Sequence, residues 1–358
     1  MSSRIKEIKQ ALMPSELALL ELVRELVPEG RRNGKIWSAK SPVRQDKNAG
    51  SFVVWLTGPA RGSFKDYADG TVKGDLIDLV CLSKRLSRTE ALAWAEDRLG
   101  WRHMSPEEKE KLRRQVKKKA KQQNAQEEKR RKDRIRRALR WWHSGLAVEG
   151  TLIERYLESR AIPLSRLQGR LNFCRFLPAQ EYWMDAVYEN GIKVQRGPEY
   201  PAMMSRMSAP DGSLQALHFT FLAADGSGKA PVEKPKLMWP ETAGSMIWIS
   251  QGESKSGGPD TYRGPVVVGE GIEDAGSSAL ANPEIRHAAA GSLPNLLHLP
   301  DFPWLTGYIL LKDNDWGKPQ AQEQFNRAVE RLAATGKPVI EVSSTKGKDF
   351  NDQLRGVE

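Results

Sequence analysis

Cysteine is almost absent. The 358 residues hold only Cys81 and Cys174, which excludes a disulfide framework and points to a reducing compartment. The five histidines (His103, His143, His218, His287, His298) are scattered, so a Cys/His-rich structural zinc site is not expected. No stretch approaches the roughly 20 apolar residues of a membrane span, which excludes a transmembrane protein. The first residues, MSSRIKEIKQALMPSE, are charged throughout and lack an apolar leader core, so a cytoplasmic protein with no membrane partner is expected. At roughly 150 residues per domain, the chain has room for two or three domains.

What is abundant is positive charge, and it is concentrated. Of the net +11, the segment from Pro106 to Arg140 carries a local excess of ten, 16 lysines and arginines against six acids, while the remainder is nearly neutral. Ser105-Pro106-Glu107-Glu108 supplies an N-cap, a first-turn proline and a capping-box acid, and no glycine follows until Gly145. This predicts one long helix, with a thin apolar seam through Leu112, Val116 and Ala120 and a fuller one through Ile135, Leu139 and Trp142. Two readings stand for it: a solvated connector, or an arm in which Lys117, Lys118 and Lys119 contact phosphates in a salt-dependent way.

The basic helix separates an N-terminal module (1–104, with the connector at 105–145) from a larger remainder. A polar, Gly-rich run, SQGESKSGGPDTYR, marks a second boundary near 250–263. The middle unit, 146–263, opens with a helical run at 151–160 and continues as strand-like runs at 214–222 and 246–249 between Asp-Gly turns, an α+β pattern. Lys229, Lys234 and Lys236 lie on a loop-like stretch, with Arg206 nearby in sequence. Solvated surface is the simpler reading, and a basic ridge contacting nucleotide or template the sharper one.

From Gly264 onward strands and helices alternate: strands at 265–268, 286–290, 308–311 and 339–342, with helices at 272–281, 293–299 and 321–334. Such βαβ alternation predicts an α/β domain with a parallel sheet, whose ligands sit beyond the carboxyl ends of the strands. Acids fall at those ends: Glu270 after the first strand, Asp313 and Asp315 after the third, Asp349 and Asp352 after the fourth. Carboxylates gathered in one crevice repel unless a cation compensates. Oxygen donors without His or Cys favour Mg²⁺ or Mn²⁺ over zinc, and such a site suits phosphoryl or nucleotidyl transfer. Glu270, if free of metal, is the best placed general acid or base. Two motif-like runs are set aside: in Gly269-Glu-Gly271-Ile-Glu-Asp-Ala-Gly276 the third glycine falls two residues late for a dinucleotide fingerprint, and Asp225-Gly-Ser-Gly-Lys229 lacks the leading glycine of a phosphate loop. No ATPase motor is found.

Val-Val-Val-Gly-Glu270-Gly-Ile-Glu-Asp274-Ala, then Asp313-Asn-Asp315, then Lys-Gly-Lys-Asp349-Phe-Asn-Asp352, resembles the Toprim domain of bacterial-type primases, topoisomerases, recombination mediators and some nucleases. The resemblance covers 264–358 and implies a Rossmann-like parallel sheet. It makes Glu270 the acid/base residue and Asp313 and Asp315 metal ligands. Asp274 matches a further acid of the primase branch, Asp349 the acid after the fourth strand, and the family's next acid falls on Asp352 or is replaced by Asn351.

The N-terminal module looks like the zinc ribbon that precedes the catalytic core in bacterial-type primases, with Ser41, Arg44, Asp66 and Asp69 at the ligand positions. None can form the usual thiolate or imidazole site, so a zinc-free, ribbon-like domain is expected, held by its core and by Arg44 pairing with Asp66 or Asp69. This pattern is associated with primase-like proteins of phages and mobile elements. Arg31, Arg32, Lys35, Lys40, Arg44 and Lys47 make a plausible phosphate-contacting surface. Any exposed member of Trp37, Phe52, Trp55, Phe64 and Tyr67 can stack bases, although a small domain needs most of them for its core.

The resemblance implies a primase-like nucleotidyltransferase that makes short primers on single-stranded DNA from nucleoside triphosphates, using Mg²⁺ or Mn²⁺ at Glu270, Asp274, Asp313, Asp315 and Asp349. It implies a separate replicative helicase as partner and the cytoplasm of a bacterium or phage-infected host as location. A Toprim nuclease and a non-catalytic nucleic-acid-binding accessory protein are the alternatives.

Overall fold

The computed structural model describes residues 3–44, 50–101, 106–167, 173–252, 262–314 and 318–357. The chain forms two compact units, Met1–Glu128 and Lys129–Glu358.

The first unit begins with helices α1 (Ser3–Leu12) and α2 (Glu16–Leu26). Ser15 caps α2 by accepting from the Ala18 amide at 3.1 Å, and the helix buries Leu19, Leu20, Leu22, Val23 and Leu26. Five strands follow, β1 (Gly30–Asn33), β2 (Ile36–Ala39), β3 (Phe52–Trp55), β4 (Phe64–Asp66) and β5 (Lys73–Gly74), paired antiparallel in sequential order. Helices α3 (Leu76–Lys84) and α4 (Arg88–Arg98) close the unit, each started by a capping box, Asp75 with Asp78 and Ser87 with Glu90. Trp37, Phe52 and Phe64 are core residues, not stacking platforms: Phe52 and Phe64 stack at 5.3 Å, and the Trp37 indole donates to the Val27 carbonyl at 3.0 Å. Trp55 is half-buried, and Tyr67 is exposed beneath the Lys65 ammonium. Of the ribbon-like positions, Arg44 reaches buried Asp66 at 3.3 Å.

Helix α5 (Pro106–Ser144) contains the division between the units. Lys117, Lys118 and Lys119 are exposed on it. The seam side chains Leu112, Val116 and Ala120 lie outside the described set, whereas Ala138 and Trp142 are buried in the second unit. No helix among the described residues is long and apolar enough to cross a membrane.

The second unit continues with α6 (Leu152–Ser159) and a sheet of β6 (Cys174–Glu181), β9 (Glu199–Ser208), β10 (Leu214–Phe221) and β11 (Lys236–Pro240), antiparallel in the order β11-β10-β9-β6. A hairpin, β7 (Val187–Glu189) and β8 (Ile192–Gln195), projects between β6 and β9. Every residue of β10 is buried because both faces are covered. Leu217, Phe219 and Phe221 pack with Trp141, Trp142 and Trp183, while Ala216 belongs to a core shared with α6 and the helix Ile272–Ala281. The strand therefore buries its polar side chains Gln215, His218 and Thr220 as well as its apolar ones.

The C-terminal sheet has the order β12-β14-β13-β15-β16, formed by β12 (Ile247–Ser250), β13 (Gly264–Gly269), β14 (Arg286–Ala289), β15 (Leu305–Lys312) and β16 (Val339–Ser343). Four strands run parallel; β12, read from sequence with the middle unit, adds antiparallel to β14 at the edge. The intervening helices are α7 (Ile272–Ala281), α8 (Leu293–Leu296) and α9 (Pro319–Ala333), and α10 (Phe350–Arg355) follows β16. The architecture is mixed α/β, with a parallel sheet at the C-terminus and antiparallel pairing in the middle. Ile153, Tyr156 and Met203 share one core with Ile272, Ala275 and Ala279, so the middle and C-terminal portions are a single packed body.

Candidate active site

Three segments meet at the carboxyl ends of the parallel strands. The ladder between β13 and β14 runs one step past the strands, with Ala290 N–H donating to the Gly269 carbonyl and Gly291 N–H to that of Glu270, both at 2.9 Å. This fixes the Glu270 backbone where β13 turns into α7. Gly271 makes the turn: a Cβ there would stand 3.0 Å from Asp274 Oδ2 and 3.2 Å from Glu273 Oε2, so the acids pack against bare backbone. Glu273 and Asp274 occupy the first turn of α7, where the amide ends of the helix favour negative charge.

Asp313 follows the last residue of β15. Its neighbour Asn314 ties that end to the β16–α10 loop, donating to Ser344 Oγ at 2.9 Å and the Gly347 carbonyl at 3.0 Å, while the Asn314 amide reaches the Lys348 carbonyl at 2.7 Å. Asp349 is the N-cap of α10 and accepts from the Asp352 amide at 2.8 Å. Asp352 turns back to accept from the Lys348 amide at 3.3 Å.

Carboxylate oxygens of Asp274, Asp313 and Asp349 lie within 4.8 Å of one another. Burial first, then the charges of Asp313, Asp349 and Glu273, push the Asp274 carboxyl up to about 8. The donors are all oxygen and mutually repelling, so the set fits a hard divalent cation. Glu270 is half-buried and lines two cavities with Asp313, one of about 320 Å³ and one of about 160 Å³. Asp315 and Lys47, two of the residues singled out in the sequence, lie outside the described residues.

The other expected contacts separate into groups. Lys229 and Lys236 are not solvated surface: both line the smaller cavity beside the acids, with Arg160 and Lys348. Arg206 lies elsewhere on β9 and donates to the Gly212 carbonyl at 2.5 Å, closing the β9–β10 turn. Arg44 and Trp55 belong to the first unit.

Sequence reasoning passed over Glu273, Tyr156, Asn314 and Arg160. Glu273 is buried in the first turn of α7, whose positions apart from Asp274 are small or apolar, and a buried acid there calls for a cation. The nearby sequence gave no partner, because Lys229 and Lys236 arrive from another sheet. Glu273 is held well below the usual carboxylate range although burial alone would raise it, because the two lysines and the Tyr156 hydroxyl outweigh that cost.

Residues 265–357, which span the four parallel strands and the acidic cluster, match the Toprim domain family. Residues 132–249 match a domain of unknown function, DUF7146. No curated protein matches the chain. Among solved structures, it is similar to a DNA primase domain from Pseudomonas aeruginosa at 16% identity and a TM-score of 0.40, over 58% of this chain and 68% of that one. It is also similar to the DnaG primase catalytic domain bound to single-stranded DNA, at 13% identity and a TM-score of 0.43 over 65% and 78% of the two chains. The E. coli primase catalytic core gives 14% identity and a TM-score of 0.38 over 57% and 69%.

Proposed function

We propose that the chain is a metal-dependent nucleotidyltransferase of the primase type, which builds short primers on single-stranded DNA from nucleoside triphosphates. The observation that carries this reading is the meeting of Asp274, Asp313 and Asp349 within 4.8 Å, on a Toprim domain, with Lys229, Lys236, Arg160 and Lys348 around the same cavity. Acids alone would repel a polyphosphate; acids beside cations suit one that arrives with a divalent metal.

Asp274, Asp313 and Asp349 would hold Mg²⁺ or Mn²⁺, joined by Asp315. Such a cation neutralises charge on the phosphates and on the attacking and leaving oxygens. Glu270 is placed at the carboxyl end of β13 to take the proton from the primer 3′ hydroxyl as that oxygen bonds to the α-phosphorus. The bond from that phosphorus to the bridging oxygen breaks, and pyrophosphate leaves. Lys229 and Lys236 orient the phosphates. Lys117, Lys118 and Lys119 on α5, with Arg44, Lys47, Trp55 and Arg206, are the proposed template contacts, and a separate helicase is the proposed partner.

The test is incubation with single-stranded DNA, Mg²⁺ or Mn²⁺ and labelled nucleoside triphosphates, with an Asp313→Asn, Asp315→Asn variant alongside. New short products on a denaturing gel, absent with the variant, are expected. Shortened DNA would reassign the chain to nuclease chemistry, and unchanged activity in the variant would overturn the mechanism.

A further inference from the structure

Glu273 is 6% exposed in the first turn of α7, yet it carries three polar contacts from outside the C-terminal sheet. Its Oε1 lies 2.7 Å from Lys229 Nζ and accepts from the Tyr156 hydroxyl at 2.5 Å, and its Oε2 lies 3.4 Å from Lys236 Nζ. Lys236 begins β11, Lys229 lies in the connection leading to it, and Tyr156 belongs to α6. One carboxylate therefore gathers three segments of the antiparallel layer beside the acidic crevice.

Neutralising a buried carboxylate takes one cation, and here there are two. Both ammoniums sit on the wall of the 160 Å³ cavity that Asp274, Asp313 and Asp349 also line. Side-chain exposure follows the same division: 8% for Glu273 but 26% and 36% for the lysines, so the carboxylate is sealed while the ammoniums open toward the cavity. Each ammonium has three N–H donors and uses part of that capacity on Glu273. Two neighbouring ammoniums on four-carbon stems repel and would swing apart without a shared anion.

We infer that Glu273 is a positioning residue that clamps Lys229 and Lys236 beside the acidic cluster, so that their remaining N–H donors meet the phosphates of the nucleotide substrate. This rests on the nucleotidyl-transfer reading, but its test does not require turnover.

The probe is inorganic tripolyphosphate with Mg²⁺, titrated calorimetrically into the full chain at low salt. Glu273→Gln makes the site more positive by one charge, so electrostatics alone would raise affinity; the clamp predicts a fall of about tenfold, with Lys229→Met and Lys236→Met each falling similarly. Adding Glu273→Gln to Lys236→Met should cost little more, since the pair is already broken. Where Gln unfolds the chain, as judged by thermal melting, Glu273→Asp keeps the charge but shortens the reach and should also weaken binding. Rising or unchanged affinity in the Glu273 variants, unchanged affinity in the lysine variants, or no saturable binding by the wild type would overturn the assignment. If primers are made, Glu273→Gln should raise the nucleotide KM about tenfold with kcat changed less than threefold, unlike loss of an acid ligand. A wild type that makes no primer yet shows this tripolyphosphate pattern would sink the primase reading and leave the clamp standing.

Discussion

Asn351 donates its backbone amide to Asp274 Oδ1 at 3.3 Å, joining the start of α10 to the first turn of α7 across 77 residues. Its side-chain amide continues the link, donating to the Arg160 carbonyl at 2.7 Å and to Ser277 Oγ at 3.0 Å. Both members of the Asn351–Asp352 pair line the smaller cavity, Asn351 tied to α7 and Asp352 turned to the Lys348 amide. Asn351→Ala leaves the backbone contact but removes both side-chain bonds. It should cost about 1–3 kcal/mol in urea denaturation and weaken divalent-cation affinity, which calorimetry would read.

Asp274→Asn should stabilise the metal-free protein, by about 1–2 kcal/mol, because it relieves a buried and crowded carboxylate while keeping an acceptor for Asn351. The same substitution should remove most of the thermal shift on adding Mn²⁺, which for the wild type would reach about 2.7 kcal/mol at a hundred times Kd. A variant less stable without metal and equally responsive to it would contradict the ligand role.

His218 is buried on β10, and burial above all holds its imidazole down to about 3. The folded chain keeps it neutral while the unfolded chain takes up a proton below about pH 6.5. Stability is therefore full above that pH and declines as pH falls toward 3, by up to about 1.4 kcal/mol per pH unit from this group. Chemical denaturation at pH 7.5, 6 and 5 should show the wild type losing stability relative to His218→Gln, and parallel profiles would refute this.

Arg44 supports a carboxylate that is 1% exposed, and the Ala68 amide supplies a second bond to Asp66 at 3.0 Å. Because the arginine is partly solvated, Arg44→Ala should cost only about 1–2 kcal/mol. Asp66→Asn in that background should restore part of the loss. Neither zinc nor a chelator should move the melting of the wild-type first unit, followed by its tryptophan fluorescence.

Binding to single-stranded DNA should weaken steeply with salt. Replacing Lys117, Lys118 and Lys119 by alanine should lower the slope of log K against log salt by about two. An unchanged slope would make the exposed middle of α5 a connector only.

The C-terminal fold was legible because its signals are local. The centre of β13 is an unbroken apolar run, and Glu270 and Asp313 directly follow the last strand residues Gly269 and Lys312, whereas Asp274 and Asp349 come later, in the first turn of α7 and at the cap of α10. The partners of Glu273 were not legible, since Lys229, Lys236 and Tyr156 reach it through tertiary packing that carries no fixed spacing. Nor did sequence reveal that β12 joins the C-terminal sheet, because a strand's own pattern does not name its neighbour. In the first unit a small domain needs most of its aromatic residues for the core, and the burial of Trp37, Phe52 and Phe64 agrees.

Asp274, Asp313 and Asp349 come from three successive stretches of chain. During synthesis the first two can emerge and begin to pack while the third is still within the ribosome. A half-made sheet has an incomplete set of carboxylates and correspondingly little hold on a cation. A cation that needs all three carboxylates would therefore be captured only once the β16–α10 loop has been laid against α7.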